Sequence, residues 1–197
     1  MISKHPESYL AETEHAVRHL FTGIDYYESL LAGMTPPSQA NNMDEVKRYM
    51  ELAELYFGYS ISEATLCGAI LQIAFMGIFL FPRNNAVPVH SSSLVKPENR
   101  KAIPFCVGRL VHDIPIGLII YAGRNQFNHW DDESFDYPTT QVFLALLHAH
   151  YENPMFDMAY ELEYPARTIK ANHIVLNELR WRTFEQYSMD MKSLVCA

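Results

Sequence analysis

Arg124, Asn125 and His129 fall within the stretch AGRNQFNHWDD, Ala122 to Asp132, a run dense in side chains able to do chemistry. On a helix Asn125 and His129, four residues apart, share a face, and the long stem of Arg124 reaches the same side from one position round. An imidazole can take or return a proton near neutral pH. A guanidinium can neutralise charge that builds on phosphate oxygens, and an amide can hold the imidazole or a phosphate oxygen in place. Together these groups suit chemistry on a phosphodiester. Asp131 and Asp132 follow at once and could orient His129 through its other ring nitrogen, although their charge opposes an incoming phosphate. The plainer alternative is a polar helix end, with His129 packed on Trp130 and Arg124 paired to an acidic neighbour.

A second grouping is Glu12, His15 and His19, whose spacing puts three candidate metal ligands on one face of the first helix. His148 and His150, two apart, point to different sides of a helix, so at most one of them can join a shared site. No Cys-x2-Cys or His-Glu-x2-His pattern occurs, and solvent-facing or core histidines are the alternative. Nucleophilic catalysis finds no Gly-x-Ser-x-Gly elbow, and Cys67 and Cys106 lie in apolar runs that leave a thiol inert. Glycine-rich phosphate loops are missing as well, so no cofactor is expected. Trp181, Phe184 and Tyr187 near the end read as a packing face.

The elements that must position these residues are helical. Leu10, Val17, Phe21, Ile24 and Leu31 recur at helical steps from about Ser8 to Ala32, before the break at Gly33 and TPPSQANN. A second helix is expected from Asp44 to about Phe57. SISE at Ser60 to Glu63 reads as a capping box for a third, uncharged from Ala64 to Phe81. That run has the length of a short membrane span, but apolar residues elsewhere form amphipathic stripes, so a buried core helix is the expectation and a membrane partner is not. Residues 82–100, rich in Pro, Ser and Asn, form a long connection. A helix beginning near Pro115, or kinked there, carries the chain into Arg124. Another has Pro138 in its first turn and stops at Asn153 and Pro154, and a last one runs from the cap Asn172 to about Met189.

Composition sets the bounds. Residues 1–197 suit one domain, and apolar residues at 49% with aromatics at 13% can build a real core. Scarce glycine and frequent helix formers point to an all-α, single-domain helical bundle of roughly five to seven helices. An odd set of three cysteines at unrelated spacings suggests a reducing, cytoplasmic setting. The opening MISKHPESYLAETEH has no secretory pattern. A net charge of −8 disfavours a long duplex-binding or anionic-membrane surface but leaves room for a local basic pocket.

At Arg124-Asn125-Gln126-Phe127-Asn128-His129 the sequence resembles the HEPN superfamily, small helical domains whose ribonuclease members carry Arg, a polar residue and then His, with four to six residues between Arg and His. Arg83 with His90 and Arg167 with His173 fit the same loose spacing. Only Arg124 combines a following asparagine, an interval without proline and an apolar helix leading in. The resemblance spans about Pro115 to Asn153. It implies a homodimer with two motifs facing across a cleft, and metal-independent RNA cleavage by attack of the ribose 2′-hydroxyl on the adjacent phosphate. It also implies His129 as the proton-transfer group, Arg124 as the transition-state clamp and Asn125 as the polar second residue. Many such domains belong to toxin–antitoxin or antiphage systems, so an antitoxin-like protein partner is implied too, and others only bind. A non-catalytic helical interaction protein and a small metal-binding bundle are the alternatives.

Overall fold

The computed structural model describes residues 5–33, 43–129, 134–150 and 171–196. Pro6, in the first turn where no backbone donor is needed, opens α1 (Pro6–Ala32), whose expected stripe buries Val17, Phe21 and Ile24. The second and third expected helices are one continuous element, α2 (Met43–Leu80). The supposed capping box does not act as one. Its Ser60 and Glu63 lie inside the unbroken helix, where the neighbouring Ser62 and Thr65 hydroxyls donate back to the Gly58 and Ile61 carbonyls at 2.9 and 2.8 Å. Burial on α2 starts only at Glu63. Its second half sits at the centre of the core, with Cys67, Ile70, Leu71 and Ala74 fully enclosed.

One helix among the described residues, α2, is long and apolar enough to cross a membrane, and half of its most apolar window is buried within the protein. The 82–100 connection folds onto the core. Leu94 and Val95 are buried, and Asn84 donates to the Ile103 and Cys106 carbonyls at 3.3 and 3.4 Å.

The apolar stretch before Pro115 contains an unforeseen hairpin, β1 (Leu110–Val111) against β2 (Ile114–Pro115). Its turn residues His112 and Asp113 have φ of 49° and 63°, the paired positive values of a tight hairpin turn. Pro115 then caps α3 (Ile116–Asn128), as its position predicts. Gly117 is obligatory there, because a Cβ would lie 2.3 Å from the Phe105 carbonyl oxygen. Asp136 caps α4 (Tyr137–Ala149) by accepting from the Thr139 backbone N–H at 3.1 Å, with Pro138 in the first turn. The expected stop at Asn153 and Pro154 lies outside the described residues, and α4 ends before it.

The last expected helix is broken in two. α5 (Ala171–His173) passes into a π-helical turn, Ile174–Glu178, and Arg180 then turns the chain at φ 56°. The reset is stabilised by α6 (Phe184–Val195), whose cap Thr183 forms a reciprocal capping box with Gln186. Asp190 ties these pieces together, accepting from Arg109 Nε and Nη2 (3.0 and 2.8 Å) and from Trp181 Nε1 (2.8 Å). The architecture is an all-α bundle, with α1, α3, α5 and α6 packed around the buried half of α2 and α4 packed on α3. Buried thiols are part of that core: burial pushes both Cys67 and Cys106 up from the ordinary thiol range.

Candidate functional site

The C-terminal half of α3, the buried half of α2 and the chain entering α4 enclose a cleft of about 580 Å³, lined among others by Phe79, Arg124, Asn125 and His129. Arg124 and Asn125 are half-buried in its wall, whereas His129 is exposed. His129 stands one residue past the end of α3. Its backbone N–H still reaches the Asn125 carbonyl at 2.9 Å, so the last turn closes and the one-face spacing holds.

The Arg124 guanidinium is positioned from three directions. Its Nε donates to Gln72 Oε1 at 2.9 Å, its Nη1 donates to Asn125 Oδ1 at 3.3 Å, and its Cζ lies 4.6 Å from the centre of the Phe75 ring. Both of these hydrogen-bond partners are neutral amides, so among the described residues no carboxylate takes up its charge. Burial lowers its pKa, partly offset by nearby Tyr121. A guanidinium with so high an intrinsic pKa remains a cation.

Asn125 serves the arginine rather than the imidazole. While its Oδ1 accepts from Arg124, its Nδ2 donates to Thr139 Oγ1 at 3.1 Å, which links α3 to α4. Tyr121 strengthens that link by donating to Asp136 Oδ2 at 2.5 Å. Burial, with Asp136 beside it, drives the Tyr121 phenol far above its ordinary pKa, so it stays a neutral donor. Asp136 is thereby occupied twice, by the phenol and by the α4 cap. Lys101 brings a second cation to the cleft, and Phe79, 52% exposed, lies parallel to Phe75 at 6.2 Å. The cleft thus offers cationic charge beside an aromatic face.

Asp131, Asp132 and Trp130 lie outside the described residues. The sequence reading missed Gln72, Lys101 and Tyr121. Gln72 had a signal, being the one amide inside the uncharged run of α2. Tyr121 had one too, lying three and four residues before Arg124 and Asn125 on the same helix, whereas Lys101 had none, because only the packing of distant segments brings it to the cleft.

The other grouping comes apart. His15 and His19 meet on α1 with their Nε2 atoms 3.2 Å apart, both exposed, but Glu12 does not join them in a ligand cluster. Exposed His148 stays apart, and His150 turns instead toward His112 and Glu178. Comparison with protein-family models, curated proteins and solved structures gives no match.

Proposed function

We propose that this chain is a HEPN-like domain that cleaves RNA without a metal ion, acting as a homodimer in the cytoplasm. The observation that carries the reading is the Arg124 guanidinium, fixed by two amides and an aromatic face in the wall of the cleft that His129 lines. In the reaction the ribose 2′-oxygen attacks the adjacent phosphorus and loses its proton to an imidazole. The bond from phosphorus to the 5′-oxygen breaks, and that oxygen takes up a proton. The products are a 2′,3′-cyclic phosphate and a 5′-hydroxyl. His129 moves the proton, Arg124 and Lys101 offset the charge on the phosphoryl oxygens, and Asn125 positions Arg124. Phe79 offers a base a stacking surface. Two copies facing one another would supply two imidazoles, one to take the proton and one to return it.

A second reading is favoured by a specific surface. The outer half of α2 exposes Tyr49, Met50, Tyr56 and Phe57, an apolar face that suits a protein partner, whether a second copy or an antitoxin-like chain. A helical interaction protein without catalysis would use this face alone.

Incubating the full chain with mixed RNA in excess chelator, beside His129→Ala and Arg124→Ala, separates the two. Cleavage by the parent, reduced at least about 100-fold in both variants, is the expected result. RNA left intact by the parent at every concentration, or cleaved equally by all three proteins, overturns the enzymatic reading.

A further inference from the structure

Three imidazoles converge on one carboxylate at the far end of α4. Glu178, 2% exposed, lies at the end of the π-helical turn. His150 Nε2 is 3.1 Å from its Oε1, His173 Nε2 is 3.3 Å from the same oxygen, and His112 Nε2 is 3.8 Å from Oε2. Ligand atoms of His112, His150 and Glu178 all lie within 4.8 Å of one another, and the two imidazole rings meet edge to face at 4.6 Å. Single π-helical turns recur where a helix is adjusted to aim side chains at a functional site. Here Glu178 is the last residue of such a turn and is buried.

We propose that His112, His150 and Glu178 bind a first-row divalent cation of the zinc type, with His173 holding the carboxylate. Two imidazoles and a carboxylate are a donor set that such ions favour. Zinc at about 2.0–2.1 Å from each ligand atom separates those atoms by roughly 3.4 Å. His150 and Glu178, 3.1 Å apart, are already near this, and His112, whose ligand atom lies within 4.8 Å of theirs, must close in on them. His112 is 38% exposed on its hairpin turn and is free to make that adjustment by side-chain rotation.

The hydrogen bonds around His173 assign it a different role. Arg182 Nη2 donates to Asn177 Oδ1 at 3.2 Å, which fixes the amide so that its Nδ2 faces His173 Nδ1 at 2.9 Å. That ring nitrogen accepts, so in the neutral ring the proton sits on Nε2 and is donated to Glu178 Oε1. An imidazole donating from that nitrogen orients a ligand but cannot itself ligate. The C-terminus of α4, which His150 caps, adds the negative end of a helix dipole beside a bound cation.

Zinc titration of the untagged full chain by calorimetry at pH 7.5 tests this, in a His15→Ala/His19→Ala background that removes the exposed pair on α1. A saturable one-to-one isotherm is expected, weakened at least 10- to 100-fold in His112→Ala and in His150→Ala and about 10-fold in His173→Ala. His148→Ala should bind as the background does. Cobalt in place of zinc should give visible absorption that His112→Ala removes, and far-UV circular dichroism should show every variant folded. No saturable binding, or folded His112→Ala and His150→Ala proteins that bind like the background, overturns the assignment.

Discussion

The two ends of α4 carry polar groups assembled in opposite ways. At its start, Arg124, Asn125 and His129 come from one short stretch of α3 and are steadied by Gln72, Thr139 and Phe75. At its finish, His150 meets residues from a hairpin turn and from a π-helical turn that are distant in sequence. About 20 Å of helix separates them. The first arrangement follows from helical periodicity and survives almost any packing that leaves α3 intact. The second exists only if the hairpin turn, the π-helical turn and the positive-φ turn at Arg180 form together. The comparison teaches that a local grouping can be recognised in the sequence, whereas one built across elements is set by the tertiary fold.

Substitutions can break the comparison one end at a time. The largest effect is expected from His129→Ala. RNA cleavage should fall by about 10²–10⁴-fold, while the melting temperature moves little because this side chain is exposed. Parallel loss of melting temperature and activity would mean that the residue holds the fold instead.

Next comes Asp190→Ala, which strands Arg109 and Trp181 Nε1. Arg109 precedes the hairpin and also donates to the Leu179 carbonyl just past Glu178, so this loss strikes the His150 end. With Asp190 buried and Arg109 about half-exposed, a cost of about 2–3 kcal/mol is expected. Thermal denaturation should register it as a fall of about 5–10 °C. Zinc affinity should drop with it while the activity of the folded fraction persists.

Gly68→Ala probes the other end. A methyl group there would lie 2.3–2.5 Å from the Phe127 ring, which must swing and drag the last turn of α3 with it. A cost of about 1–2 kcal/mol and a several-fold drop in cleavage are expected, with zinc binding unchanged.

The smallest effect sits between the two ends. Burial raises the Glu63 carboxyl pKa, opposed by the N–H that Asn172 donates to it. The folded chain therefore holds this proton more tightly than the unfolded one. The resulting stability is present below the ordinary carboxylate range and is lost as pH rises through the folded pKa. Glu63→Gln, neutral at all pH, should be more stable than the parent at pH 7.5 by no more than about 0.5 kcal/mol. Melting curves across pH should show that gain vanish as pH falls below the ordinary carboxylate range.

Much of the fold was legible because periodicity, proline and caps are local signals. The α1 stripe, the start of α3 after Pro115 and Pro138 in α4 all read directly. The readings that failed were those in which a local signal was overruled. Ser60 lies inside one unbroken helix instead of capping a new one, and the C-terminal segment broke where Asp190 captures Trp181. Arg124, Asn125 and His129 share a cleft as their spacing suggests, yet the partner of Asn125 proved to be the arginine. The hydroxyl that accepts from the other end of that amide, Thr139, arrives from α4, which no spacing within α3 encodes. Likewise His112, His150 and Glu178 each looked unremarkable alone, because nothing local marks a hairpin turn and a π-helical turn as neighbours.

The most direct measurement is the chemistry of RNA ends after incubation with the parent chain in excess chelator. Scission leaving 2′,3′-cyclic phosphate and 5′-hydroxyl termini, with none at a site whose upstream ribose lacks its 2′-hydroxyl, is the predicted result. Cleavage at that 2′-deoxy site, or scission that stops when metal is withdrawn, would contradict it.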